Sequence, residues 1–91
     1  MSIEFQKKIK NLEEIINMSV FADRLKECRK NICKTQREVA GDLGITEGAY
    51  QNYELSNREP KIETLNKLAD YFDVSLDYLT GRDDIPKRQQ Q

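Results

Sequence analysis

Thr46, Glu47, Gly48, Gln51 and Asn52 bring a hydroxyl, a carboxylate, a bare backbone position and two amides into one short stretch. Asn and Gln can form paired hydrogen bonds with adenine, and a Glu carboxylate can accept from the amino group of cytosine. Upstream, Gln36 stands between Lys34 and Arg37; downstream come Asn57, Arg58 and Lys61. These are amides and cations suited to phosphate oxygens. Four polar or small residues on a helix can also do no more than face water, and each flanking charge can be a solvated surface group. Catalysis has little support. The chain holds no His, no supported pair of carboxylates and no glycine-rich phosphate loop, so we expect neither an enzyme nor a cofactor. Cys28 and Cys33 are the only cysteines; without His they signal neither a metal site nor a disulfide framework, and a structural or tolerated role is expected for both.

The elements that must position these residues are all helical, and no segment sustains the period-two alternation of a half-buried strand. Phe21, Leu25, Cys28 and Ile32 make one apolar stripe on a helix that ends near Asn31. Thr35 followed by Glu38 fits a capping box, and Gly44 can take the left-handed conformation that stops the helix carrying Val39, Ala40 and Leu43. Thr46 is a second candidate cap, for a helix that buries Tyr50 and Tyr53. Glu47, Gly48, Gln51 and Asn52 are read as the exposed face of that helix. Asn57 to Pro60 form a loop. A fourth helix turns Ile62, Leu65, Leu68, Ala69 and Phe72 inward, with a weak start at Lys61. Ser75 caps a fifth, with Leu76 and Leu79 inward and Gly81 at its end.

Small Ala40, the Gly44 turn and apolar Ile45, Tyr50 and Tyr53 together make a helix-turn-helix pattern, in which the second helix stands outward on a rigid frame. From Phe21 to Gly81 the chain resembles the Cro/C1-type helix-turn-helix family of phage and bacterial repressors, also called the XRE family. Arg29, Thr35-Gln36, Val39-Ala40, Leu43-Gly44-Ile45-Thr46, Tyr50, Tyr53-Glu54 and Pro60 carry the resemblance. It continues through Thr64-Leu65, Leu68-Ala69, Val74-Ser75, Asp77 and Leu79-Thr80-Gly81. The resemblance implies a five-helix, lambda-repressor-like, all-α DNA-binding domain. It further implies that Thr46, Glu47, Gly48 and Asn52 read bases or touch neighbouring phosphates, with Gln51 adjacent, and that Gln36 clamps the DNA backbone. Asn57, Arg58 and Lys61 would add phosphate contacts from the loop. For Arg29 and Glu54 it implies an internal ion pair, not contact with DNA.

The expected function is therefore a sequence-specific transcriptional regulator, a repressor that binds a palindromic operator as a homodimer through a recognition helix over 46–55. A competing reading is a helix-turn-helix protein-interaction module, such as an antitoxin or an anti-repressor partner. The recognition helix holds no Lys or Arg, and Gly48 inside it costs roughly 1 kcal/mol relative to Ala.

Length and charge agree with one small domain. Fifteen Lys and Arg against sixteen Asp and Glu leave a net charge of -1, which supplies no general attraction to a polyanion. By segment, residues 21–43 hold six basic and four acidic residues, while 44–60 and 61–80 are each acidic by two. Neutrality of the whole thus conceals a basic first half of the domain. The longest apolar run is Val20, Phe21, Ala22, too short for a membrane span, and no signal peptide is apparent, so a cytoplasmic location is expected. No small-molecule effector domain is expected either.

The expected domains are an N-terminal amphipathic extension over 1–18, the helix-turn-helix domain over 19–81 and a disordered C-terminal tail over 82–91. Phe5, Ile9, Leu12 and Ile16 form one stripe flanked by Lys7, Lys8, Lys10, Glu13 and Glu14, and Asn17, Met18 and Ser19 interrupt it. An extra helix packed on its own domain, a dimerisation helix and a frayed extension all fit that stripe.

Overall fold

The computed structural model describes residues 12–86. Among them are five α-helices and no strand: α1 (Leu12–Asn31), α2 (Gln36–Leu43), α3 (Glu47–Glu54), α4 (Ile62–Phe72) and α5 (Leu76–Leu79). Each helix supplies the core. Phe21, Leu25 and Cys28 come from α1, Val39 and Ala40 from α2, Tyr50 and Tyr53 from α3, Leu68 and Ala69 from α4, and Tyr78 and Leu79 from α5, joined by Val74. Burial of this apolar surface, not intrinsic propensity, holds helices as short as α2 and α5.

The starts follow the caps legible in the sequence. Thr35 Oγ1 accepts from the amide of Glu38 at 3.1 Å, and the Glu38 carboxylate accepts from the Thr35 amide at 2.8 Å, completing the capping box. Thr46 accepts from Ala49 N at 3.1 Å and Ser75 from Tyr78 N at 3.0 Å. Lys61 precedes α4 with no side-chain cap. The ends share one device, a residue of positive φ whose successor donates back into the last turn. Gly44 does this at φ 75° between α2 and α3, with the Ile45 amide reaching Ala40 O at 3.0 Å. Cys33, Ser56 and Asp73 adopt the same conformation without being glycine.

Three readings of the sequence change. Ile32 and Ile62, placed inward by periodicity, are 44% and 65% exposed. Ile32 lies just past the end of α1, and Ile62 is the first residue of α4, so neither has a full helical turn to aim it at the core. The backbone of α1 also runs unbroken through Asn17, Met18 and Ser19; the interruption there belongs to the apolar pattern and not to the helix.

Residues 82–86, expected to be disordered, are tied to the domain. The Arg24 guanidinium donates to the carbonyls of Tyr78 and Asp83 and to the Asp84 carboxylate, the last at 3.0 Å, and stacks 4.3 Å from the centre of the Tyr78 ring. The Ser75 amide donates to Pro86 O at 3.1 Å. These polar contacts, and not apolar packing, hold the stretch, since its one large apolar side chain, Ile85, is 62% exposed. Residues 87–91 and 1–11 lie outside the described residues, and with them Phe5 and Ile9.

Candidate nucleic-acid interface

Turn and caps together fix how α3 leaves α2. Only Gly44, Ile45 and Thr46 separate the two helices, and Ile45 packs against the core between them. Ala40 is 2% exposed; its single methyl lets the elements around it approach closely. Thr46 itself is exposed, so its structural duty is the cap alone. Thr46→Ala should cost about 1 kcal/mol, read as a fall of roughly 4–8 °C in the thermal midpoint; an unchanged midpoint would mean that packing alone defines the start of α3.

Behind α3 lies the one buried charge in the described core. Glu54 is 4% exposed and receives Arg29 Nε at 2.7 Å, Arg29 Nη2 at 3.1 Å and Gln36 Nε2 at 3.0 Å. Arg29 Nη1 also donates to Lys34 O at 3.0 Å. Burial alone would push the Glu54 carboxyl up, but the hydrogen bonds from Arg29 and Gln36, with the Arg29 charge, outweigh it and hold the group below the ordinary carboxylate range. Hydrogen bonding to Glu54 likewise raises Arg29. The Tyr50 hydroxyl sits buried beside this pair without a hydrogen bond of good geometry among the described residues; burial first, and Glu54 second, raise it far above the usual phenol range. Three helices are therefore pinned at one point: α1 by Arg29, α2 by Gln36 and α3 by Glu54.

On the outside, Thr46, Glu47 and Gly48 are exposed and Gln51 and Asn52 half-buried. At 100° per residue Glu47 lies about 60° from buried Tyr50, so its exposure comes from its place in the first turn of α3. Gln51 Nε2 approaches Glu47 Oε2 at 3.5 Å, a long contact that leaves both groups accessible. The Asn52 side chain has no hydrogen bond among the described residues. Gly48 has open space around it, with nothing within 4 Å of where a Cβ would stand. Asn57, Arg58 and Lys61 are exposed in the loop to α4 and at its start. Gln36 is half-buried at the first position of α2, next to exposed Arg37.

Lys34, in contrast, is engaged. Its ammonium lies 2.7 Å from Asp42, whose carboxylate also accepts from the Tyr71 hydroxyl at 2.6 Å. The hydrogen bonds to Asp42, then Tyr71, raise Lys34 above the ordinary lysine range. Sequence reading missed this latch and the Arg24 contacts. The two cysteines stand apart: Cys28 is buried in the core and Cys33 exposed at the end of α1, and burial pushes the Cys28 thiol up, as expected for an unreactive core position. No group of His, Cys, Asp and Glu among the described residues could hold a metal ion.

A helix-turn-helix family profile matches residues 25–79, which contain α2, the turn, α3 and the Arg29–Glu54 pair. The chain belongs to the Cro/C1-type helix-turn-helix family. Among its relatives, the uncharacterized HTH-type transcriptional regulator YqaE of Bacillus subtilis is 50% identical over 60 residues, covering 66% of this chain and 52% of that protein. The HTH-type transcriptional regulator ImmR of the same organism is 42% identical over 67 residues, covering 74% and 53%. The cryptic phage CTXphi transcriptional repressor RstR of Vibrio cholerae is 42% identical over 60 residues, covering 66% and 54%. This helix-turn-helix chain thus spans about half the length of the curated relatives it matches. Its fold is shared with the solution structure of the SOS-response transcriptional repressor LexA from Eubacterium rectale, at a TM-score of 0.70 and 20% identity over 82% of this chain and 80% of that one. No helix among the described residues is long and apolar enough to cross a membrane.

Proposed function

We propose that the protein is a sequence-specific DNA-binding transcriptional regulator, a repressor that docks α3 in the major groove of a palindromic operator as a homodimer. The observation that carries this reading is the pinning of α3 from behind by Arg29, Gln36 and Glu54 while Thr46, Glu47, Gly48, Gln51 and Asn52 remain accessible in front. An element that reads base edges must be held rigidly and must offer donors and acceptors not already used. The relatives named as regulators and as a phage repressor support the same role. Family membership sets an enzyme aside.

Within this reading, Asn52 and Gln51 offer amides to adenine and Glu47 an acceptor to the amino group of cytosine. Gly48 admits the DNA closely, since a Cβ there would fill open space. Gln36 keeps one amide N–H on Glu54 and offers the other to a phosphate, aided by the positive end of α2. Thr46, Asn57, Arg58 and Lys61 supply further backbone contacts. One such domain reads few base pairs, and two copies with recognition helices about 34 Å apart would enter successive major grooves.

Selection from random duplex DNA with the full chain tests the proposal. We expect an enriched sequence with two-fold symmetry and affinity that falls steeply with salt. No enrichment at low salt would overturn it. An enriched site without symmetry would overturn the dimeric part alone.

A further inference from the structure

A cavity of about 200 Å³ opens where α1, the loop from α3 to α4 and the segment after α5 converge. Its floor is apolar: Phe21 and Pro60 are buried, and Met18 and Leu65 half-buried. Protein interiors hold few voids larger than a water molecule, and this one is several times the roughly 30 Å³ that a water takes up in the liquid. Pockets for drug-sized ligands run to ~300–1,000 Å³. The space here therefore suits a smaller body, such as one aromatic ring on a short arm; an apolar cavity of ~150 Å³ is enough for benzene.

The mouth says which end group such a body would carry. Arg58 and Arg82 both line the cavity and are exposed. Neither guanidinium has a hydrogen bond or ion pair among the described residues, where the ion pairs belong to Arg24, Arg29 and Lys34. Arg82 is nonetheless held in place, since its amide donates to Asp77 O at 2.8 Å and the Asp83 amide to the same carbonyl at 3.1 Å. The hydroxyls in the lining are already used as donors, Ser56 toward Met18 O at 3.4 Å and Thr80 toward Leu76 O at 2.8 Å. Glu59 is the acid in the lining, so two positive charges stand against one negative. A neutral body would leave the guanidiniums unused and an ammonium would meet excess positive charge; a monoanion balances it.

We propose that this cavity binds a small carboxylate with an apolar body, the body resting on Met18, Phe21, Pro60 and Leu65 and the carboxylate on Arg58 and Arg82. Guanidinium groups hold carboxylates through paired N–H donors, which orient the anion as well as attract it. A ring also suits the neighbouring Phe21 ring and the Met18 thioether. Arg58 is the guanidinium assigned above to DNA phosphate. Ligand carboxylate and phosphate then compete for it, so filling the cavity lowers DNA affinity. That consequence rests on the regulator reading, while the site itself is measured without DNA.

Phenylacetate is the probe. Titrated into the full chain and followed by carbon–proton correlation NMR, it should shift the methyl signals of Met18 and Leu65 saturably, with a Kd of about 1 mM or below. Benzylamine, with the ring and the opposite charge, and acetate, with the charge and no ring, should each bind at least about tenfold more weakly. Arg82→Gln should weaken phenylacetate about fivefold and leave DNA binding in its absence unchanged, since Arg82 lies outside the set assigned to DNA. Met18→Trp should fill the cavity and abolish binding, with the unfolding midpoint kept or raised. No saturable shift at about ten times that concentration, or benzylamine bound as well as phenylacetate, would overturn the site. So would native affinity in Met18→Trp, or methyl shifts that follow protein concentration without phenylacetate, which would give the cavity to a second copy. A chain that binds phenylacetate and selects no DNA sequence refutes the regulator and leaves the site standing; a chain that selects DNA and ignores phenylacetate does the reverse. Selected DNA held equally tightly with the cavity filled would overturn the competition at Arg58.

Discussion

Replacing Arg29 by Met is expected to lower the unfolding free energy by about 3 to 5 kcal/mol, because it strands a carboxylate that has almost no access to water. The Glu54 side chain is 1% exposed against 14% for Arg29, so the two halves of the pair are not equivalent. Without Arg29, Glu54 keeps only the Gln36 amide at 3.0 Å and must either remain charged in the core or take up a proton. Without the Glu54 charge, Arg29 retains the Lys34 carbonyl at 3.0 Å and reaches solvent. Glu54→Gln should therefore cost clearly less than Arg29→Met, although both break the same ion pair. Urea unfolding at pH 7 measures the difference; a loss below about 1 kcal/mol for Arg29→Met would show that Glu54 is not stranded.

Acid should narrow the gap, and the sign follows from the direction of each shift. In the native protein the Glu54 carboxyl is held below its ordinary value, so its contribution is present above the unfolded pKa and lost as pH falls through the folded one. In Arg29→Met the burial remains and the main opposing hydrogen bonds are gone, which raises the folded pKa above the unfolded value. The variant then regains stability as Glu54 protonates on acidification, while the native chain loses some. The two unfolding curves should approach one another between neutral pH and the carboxylate range.

Much of this architecture was legible because its signals are local. A hydroxyl at 35, 46 or 75 reaches an amide three residues on, and Gly44 meets a backbone requirement within the same turn. The stripe of Phe21, Leu25 and Cys28 survives because the period of a helix is preserved along its interior. Periodicity failed at Ile32 and Ile62, where it was extended into the ends of helices. The Arg24 contacts join residues 54 to 60 positions apart, two of them through carbonyl oxygens; carbonyls have no signature in a sequence, and Arg24 reads as one more surface cation. The Glu54 site was reached through family resemblance, since nothing in the neighbourhood of a glutamate declares it buried. Lys34 shows the converse. Its charge suggested phosphate, but Asp42 on α2 and Tyr71 on α4 already hold it, and only the packing of those helices brings them together.

Asn52→Ala carries the sharpest test of how DNA would be read. With a side chain that makes no hydrogen bond among the described residues, Asn52 can be shortened without leaving a partner unsatisfied, so the domain should unfold near its native midpoint. Loss of a paired hydrogen bond to adenine would remove about 1 to 3 kcal/mol of discrimination, roughly a fivefold to 150-fold narrowing between the selected sequence and one altered at the contacted base. Arg58→Ala should behave differently. An exposed guanidinium in the loop after α3 can meet phosphate on any sequence, so its removal should weaken all duplexes alike and reduce the salt slope by about one. Gln36 separates less cleanly because it also donates to Glu54, and Gln36→Ala should lower stability together with affinity. Binding of matched and altered duplexes by each variant, at several salt concentrations, resolves these patterns. A uniform loss for Asn52→Ala would remove it from the base-reading set and leave Gln51 and Glu47 as the side chains on α3 able to specify a sequence.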